Sequence, residues 1–369
     1  MFLQYSRAFS MPNYHTLVEI PAADRPRVVS SLTRLRDKLT REIPPRDLES
    51  HILLATWNLR EFDSNRKKQG PRLEESFHYI AEVISRFDII ALQEIGEDLT
   101  PLRKVMNLLG PWWDFITTDI TEGISGQGER ATILFDKRKV RFDNVAGEVV
   151  LPQSMLIPGE QQFARTPYAV SFKAGWFTFT LCTVHLYYGA DSGAGLKRRI
   201  REIETLAKFM ARRVQRENSN VILLGDFNIV SPEHKTMEAL LNAGFHVPEN
   251  MRKPTNAMQD KYYDQIAFMI RKGELQPGEY SEFDNSGVFD YYRAVFRPRD
   301  WSIYQQVCSN ARRPMKGWEK NDKGRQRSDS ERREYYTNTW RTYQMSDHLP
   351  LWCSLRTNFS AQYLQELSK

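Results

Sequence analysis

Six apolar runs of this chain finish or begin on a side chain that is costly to bury without a purpose. ATWN stops at Asn58, IIALQE at Glu94, TLCTVH at His185, and LLGDFN at Asp226 and Asn228; YDQI begins with Asp264, and LPL follows Asp347 and His348. Together they make four carboxylates, two amides and two imidazoles. Singly, each has a dull explanation, because Asp or Asn at a strand end commonly closes a turn. Gathered at the edge of one sheet core, they would line a strongly negative hollow that needs a cation. The ligands offer oxygen and no thiolate, which favours Mg²⁺, Mn²⁺ or Ca²⁺ over zinc. Mg²⁺ takes one or two carboxylates, keeps waters and binds substrate phosphate.

Such residues need strands to carry them. HILLATWN (51–58), DIIALQE (88–94), ATILF (131–135), YAVSF (168–172), FTFTLCTVH (177–185), VILLGDFN (221–228), YDQIAFMI (263–270) and LPLWCSL (349–355) read as buried strands. Leu73, Phe77, Ile80 and Ile84 mark one amphipathic helix, and Leu196, Ile200, Ile203, Ala207, Met210 and Val214 another. The opposite face of the second is basic, with Lys197, Arg198, Arg199, Arg201, Lys208, Arg212 and Arg213. Strands interleaved with helices, the strands being the most apolar pieces, predict an α+β fold: a layered sheet core under helices.

Residues 1–50 read as an N-terminal helical extension. Val28, Leu32, Leu35 and Leu39 form one helical stripe, which Pro44 and Pro45 end. The stripe fits a helix packed on the main domain. Its heptad spacing leaves a regulatory partner or self-association as the sharper alternative, on too short a run to decide. Residues 51–356 form the main domain, and 357–369 a C-terminal tail. At about 297–345 a basic insertion interrupts the strands: from Ala311 to Arg341 there are ten Lys/Arg against five Asp/Glu. Trp318, Tyr335, Tyr336 and Trp340 lie within it. Basic residues among aromatics suit a solvated loop or a nucleic-acid surface.

The whole chain has 369 residues and a formal charge of +6, with 41% hydrophobic and 27% charged residues, a globular composition. Cys182, Cys308 and Cys353 are too few and too scattered for a disulfide framework or a zinc site, which suggests a reducing compartment. No run is long and apolar enough for a transmembrane helix, and the opening MFLQYSRAFSMPNYH lacks the apolar stretch of a secretory signal. The expectation is a cytoplasmic protein.

TWNLREFD, ALQE, GERATILF, RTPYAVSF, TVH, LLGDFN, YDQIAF and MSDHLPL, in that order across 51–356, resemble the endonuclease/exonuclease/phosphatase superfamily, whose best-known member is deoxyribonuclease I. GDFN followed by SDH carries most of the signal. The resemblance implies a four-layered αββα sandwich of the deoxyribonuclease I-like type, with the site at one edge of two packed sheets. It implies that Glu94, helped by Asn58 and Asp347, holds the divalent metal. Asp226 and Asn228 would flank the scissile phosphate, His348 would pair with Asp264, and His185 with Glu129. Arg165 matches an arginine that contacts phosphate.

Phosphodiester hydrolysis suits that set. A divalent ion and preorganised donors stabilise the charge that builds on phosphoryl and leaving oxygens. An imidazole with a carboxylate partner handles protons near neutral pH, and either one could be base or acid. His185 separates relatives: the exonuclease III-like branch carries an amide there, whereas deoxyribonuclease I-like and sphingomyelinase-like branches carry His. The positive charge favours DNA as substrate and partner, and the expected activity is that of a metal-dependent DNA endonuclease. TEGISGQGER (121–130) lacks the aromatic that deoxyribonuclease I places in the minor groove. One alternative is a lipid or small-molecule phosphodiesterase, with VLPQSMLIPGEQQF (150–163) as a membrane hairpin bearing Leu156, Ile157 and Phe163. The other is a non-catalytic relative that binds nucleic acid.

Overall fold

The computed structural model describes residues 12–63, 71–121, 128–157, 162–270, 285–310, 319–321 and 323–368, without the side chains of 306–310, 362 and 366. In chain order the elements are α1 (Arg25–Glu42), β1 (His51–Phe62), α2 (Glu74–Ile84), β2 (Ile89–Ile95), α3 (Thr100–Leu109), β3 (Trp113–Thr117), β4 (Arg130–Asp136), β5 (Arg141–Glu148), β6 (Tyr168–Ala174) and β7 (Phe177–His185). They continue with α4 (Gly193–Glu217), β8 (Val221–Asp226), α5 (Lys235–Leu241), β9 (Asp264–Met269), β10 (Ser286–Val288), α6 (Trp301–Asn310), α7 (Asp329–Tyr335), α8 (Arg341–Gln344), β11 (Leu351–Arg356) and α9 (Ser360–Leu367). One sheet has the order β10-β11-β1-β2-β4-β3 and the other β5-β6-β7-β8-β9.

Side-chain alternation along the central strands sets the packing, since successive residues point to opposite faces. Ile52 and Leu54 of β1, with Ile89 and Ala91 of β2, meet Phe179 and Leu181 of β7 and Ile222 and Leu224 of β8 in a cluster between the sheets. Leu53, Ala55 and Trp57 turn the other way, under α1, α2 and α3. Cys182, Val184, Val221 and Leu223 turn outward under α4 and α5. Both faces of each sheet's centre are therefore covered, which explains why these strands read as continuous apolar runs.

Two expectations change here. Val28, Leu32, Leu35 and Leu39 of α1 are buried in the same cluster as Trp57 and Leu92, so the stripe is occupied within the chain and offers no seam to a second helix. Tyr335, Tyr336 and Trp340 are also core residues of that cluster, together with Tyr291, Phe296 and Tyr304. Burial of their large apolar area outweighs exposure in a basic loop, so they are not free to stack on bases. Trp318, the side chain of Cys308 and most of the TEGISGQGER loop lie outside the described residues. Cys182 and Cys353 are buried free thiols. Among the described residues, no helix is long and apolar enough to cross a membrane.

Candidate active site

Strand direction collects the polar ends. β1 runs parallel to β2, and β7 parallel to β8, so the C-terminal ends of these four reach the same edge as the N-terminal ends of β4, β9 and β11, which run antiparallel to them. In the second sheet the register sets His185 opposite Asp226, and Asp226 opposite Asp264. Three of the candidate side chains thus form one row across β7, β8 and β9. Gly225 makes that row close: a Cβ there, at φ +132°, would stand 2.1 Å from the Val184 carbonyl oxygen. This is the physical need behind the glycine of GDFN.

The row holds both imidazoles against one carboxylate. His185 Nδ1 lies 2.8 Å from Glu129 Oε2, and its Nε2 is 3.6 Å from Asp226 Oδ2. His348 Nδ1 lies 2.7 Å from Asp264 Oδ2, and its Nε2 is 3.8 Å from the same Asp226 oxygen. Asp226 Oδ1 accepts the Asn228 amide N–H at 2.9 Å. Burial alone would lower the His348 pKa, but Asp264 and Asp226 hold it well above the usual imidazole range. Burial and Arg165 likewise pull His185 down, and Glu129 with Asp226 raises it overall. Burial would raise Glu129, yet His185 and Arg165 hold it below the ordinary carboxylate value. Arg165 Nε stands 2.9 Å from Glu129 Oε2.

The first sheet supplies Glu94 through a break in its ladder. The β2–β4 register shifts between Leu92 and Ile95, and Glu94 takes a left-handed φ of 60°. A non-glycine residue there costs of order 1–3 kcal/mol, which the surrounding packing must offset. The turn swings its carboxylate toward β1, where Oε1 accepts Asn58 Nδ2 at 2.8 Å and Oε2 accepts the Glu61 amide at 2.8 Å. Asn58 Nδ2 also reaches Asp226 Oδ2 at 3.2 Å, so one buried amide ties the acidic groups of the two sheets together. Burial raises the Glu94 pKa, and the Glu129 charge raises it further. Asp347 sits at the mouth, its side chain 43% exposed and 3.5 Å from Arg60 Nε.

The structure brings together Asn58, Glu94, Glu129, Arg165, His185, Asp226, Asn228, Asp264, Asp347 and His348 at this edge. Among the described residues, no three His, Cys, Asp or Glu side chains stand close enough to hold an ion unaided. The donor set still fits a hard cation that keeps water. Glu94 is a half-buried carboxylate whose proton affinity is raised by desolvation and then by neighbouring negative charge, Asp347 is half-open beside it, and Asn58 adds an amide.

Several positioning residues escaped the motif reading. Gln93 faces between the sheets and donates to Thr56 Oγ1 at 3.1 Å and Thr183 Oγ1 at 2.9 Å, a polar strut directly beneath the site. The His348 carbonyl accepts from Trp57 Nε1 at 2.9 Å and from the Tyr291 hydroxyl at 2.6 Å, and Ser346 Oγ donates to the Asn58 carbonyl at 2.6 Å. Arg60 follows Asn58 in a left-handed turn and stacks its guanidinium 3.9 Å from the Tyr343 ring centroid. The α4 face needs correction. Arg199 is fully buried, donating to the carbonyls of Tyr188 and Ala190 at 2.8 Å and of Asn228 at 3.1 Å. Glu202, also buried, accepts the amides of Ala164 at 3.3 Å and Tyr187 at 3.2 Å. Both residues hold site loops in place. Arg198, Arg201, Lys208 and Arg213 each pair with a glutamate of the same helix, so this face is largely neutralised.

No family model matches the chain, and no curated protein matches it. Solved structures do. An endonuclease/exonuclease/phosphatase family protein from Bacteroides thetaiotaomicron aligns over 84% of this chain and 99% of its own, at 16% identity and a TM-score of 0.50. A functionally unknown conserved protein from Enterococcus faecalis aligns over 82% and 98%, at 15% identity and a TM-score of 0.50. The human Nocturnin catalytic domain with bound sulfate aligns over 84% and 95%, at 14% identity and a TM-score of 0.48. At these identities the likeness is one of fold: two mixed sheets with helices, the α+β sandwich of the endonuclease/exonuclease/phosphatase proteins.

Proposed function

We propose that this chain, with its endonuclease/exonuclease/phosphatase fold, is a divalent-metal-dependent phosphodiesterase that acts on nucleic acid and cuts DNA internally. The observation that carries the reading is the pair of imidazoles facing one Asp226 oxygen, each with its other nitrogen on a carboxylate, the buried Asp264 or the half-buried Glu129. Such an arrangement has little structural use, because burying this many ionisable groups is expensive unless they work.

Hydrolysis needs a water oxygen to attack phosphorus, that water to lose a proton, the ester bond to break, and the leaving oxygen to gain a proton. The Asp264 and Glu129 carboxylates fix each imidazole with Nε2 toward the reaction space. Asp226, between them, is placed to orient the water and take its proton, and Asn228 beside it to meet a phosphoryl oxygen. The protonated forms favoured by the raised histidine pKa values suit a donor to the phosphoryl group and an acid for the leaving oxygen. Arg165, held on Glu129, adds positive charge to the recess formed with Glu94 and His185. Glu94, Asn58 and Asp347 would hold the cation. When bound, that ion polarises the phosphoryl oxygen and offsets developing charge.

Packing favours nucleic acid over lipid. Ile157 and Phe163 are buried against α4 and the second sheet, and Leu156 packs on the same cluster, so they form no membrane-facing tip; residues 158–161 lie outside the described residues. A panel of supercoiled plasmid, single-stranded DNA, RNA and sphingomyelin, each with Mg²⁺ or Mn²⁺, tests the reading. Plasmid nicking that EDTA stops is expected, and Glu94→Gln should shift the metal titration to higher concentration. An intact plasmid alongside released phosphocholine would overturn it.

A further inference from the structure

We infer that Tyr188 and Tyr263 form a stacking platform for a nucleobase beside the scissile phosphate. The inference rests on the phosphodiesterase reading and narrows its substrate to a strand whose bases are splayed from pairing, over base-free phosphodiesters.

The rings step outward from the reacting centre. The Tyr263 ring centroid lies 5.6 Å from that of His348, and the Tyr188 ring meets Tyr263 edge-to-face at 6.3 Å and 88°. A nucleoside spans a similar step, with its sugar between phosphate and base. Tyr188 is 40% exposed, yet it is not loose. The buried Arg199 guanidinium lies 4.4 Å from its ring centroid, Arg199 Nε donates to its carbonyl at 2.8 Å, and its hydroxyl donates to Asp191 Oδ2 at 3.0 Å. Next along the loop, Tyr187 rests on Arg198 at 4.4 Å, and Gly189, at φ +67°, passes so close that a Cβ would stand 2.3 Å from the Tyr187 ring.

Arg199 and Tyr263 hold the Tyr188 ring in place, yet 40% of the residue stays open to solvent beside the reacting centre. A preorganised platform loses little freedom on binding, which is how rigid rings gain affinity. Every base has a π face, so the platform would be tolerant of sequence. Sequence reading passed over Tyr188 and Tyr263 because their spacing, 75 positions apart, carries no motif.

The test is equilibrium binding by fluorescence anisotropy, in EDTA, of a labelled thymidylate octamer and of an abasic octamer with the same number of phosphates. Wild-type protein should prefer the base-bearing octamer by about 5–150-fold, the range of one base–aromatic stack. Tyr188→Ala should abolish the preference while leaving affinity for the abasic octamer unchanged, and Tyr188→Trp should retain it. Equal affinity of wild type for the two octamers, or an undiminished preference in Tyr188→Ala, overturns the inference. Failure of the phosphodiesterase reading shows separately, as neither octamer being cut when Mg²⁺ or Mn²⁺ replaces EDTA.

Discussion

The β2–β4 strand pair carries a buried charge cluster at each end, and the two are built oppositely. At one end Asp88 and Asp136 meet three cations. Arg46 reaches Asp88 Oδ1 at 2.7 Å and Asp136 Oδ2 at 2.5 Å, Arg138 Nε reaches Asp136 Oδ1 at 2.9 Å, and Lys139 Nζ lies 3.6 Å from Asp88 Oδ2. Burial would raise the Asp136 pKa, but Arg138 and Arg46 hold it below the usual range. At the other end the hydrogen bonds to Glu94 come from amides, and its pKa is pushed up. The closed end is completed by the chain itself, whereas at the open end Arg165 and His185 meet Glu129 but, among the described residues, no cation pairs with Glu94. Burial of charge alone therefore says little about function. Missing compensation is the informative feature.

The largest effect should come from the open end. His185→Ala and His348→Ala should each lower kcat per folded molecule by about 10²–10⁴, as measured by plasmid nicking with the folded fraction taken from thermal unfolding. Full activity in either variant would make that imidazole structural and erase the contrast. At the closed end the outcome should invert. Arg46→Ala leaves two buried carboxylates short of a partner and should cost about 3–5 kcal/mol in denaturant unfolding, with turnover per folded molecule unchanged. A loss of turnover without a loss of stability would show that the two ends are coupled through β2 and β4.

That contrast was half legible in the sequence. The open end could be read because strand-end polar residues stand out against apolar runs: Asn58, Glu94, His185, Asp226 and His348 each break a hydrophobic stretch. The closed end could not, since Arg46 lies in a loop after Pro44 and Pro45 and meets Asp88 and Asp136 only through tertiary packing. The same limit explains Arg199 and Glu202. On a helical wheel they look like members of a charged face, but they are fully buried because loops from β6, β7 and β8 fold over them and need donors and acceptors. Among the strands, β4, β7 and β11 showed as apolar runs. β5, a mostly exposed edge, and the three-residue β10 carried no pattern to find. Aromatic residues in the 297–345 region misled for another reason: composition sees Tyr336 and Trp340 beside arginines, and only packing shows that they face inward.

The pH dependence of stability should have opposite signs at the two ends. His185 has a raised folded pKa, so its contribution is fully present below its unfolded value of about 6.5 and is lost as pH rises through the folded value. Asp136 has a lowered folded pKa, so its contribution is present above about 3.9 and is lost as pH falls through the folded value. In metal-free protein, His185→Gln should therefore flatten the alkaline limb of a melting-temperature profile by a few degrees, and Arg46→Met should leave that limb unchanged. Both variants flattening the alkaline limb would dissolve the distinction.

The smallest effect concerns how far the open end's demand for charge extends beyond the cleft. Arg325, Arg327, Arg332 and Arg333 belong to the basic region, but Arg325 pairs with Glu331, and Arg332 stands 3.6 Å from Asp329. Arg327 rests 5.0 Å from the Tyr335 ring centroid. Exposed pairs of this kind contribute little, so they can open for a phosphate but give back part of what they gain. Four free cations would steepen a log Kd against log salt plot by about 3.6. Replacing all four with Gln should therefore flatten the slope by about half that amount, read by DNA titration at several salt concentrations. An unchanged slope would confine nucleic-acid contact to the cleft and leave this region a solvated surface. The full flattening would mean that the ion pairs break whenever DNA arrives.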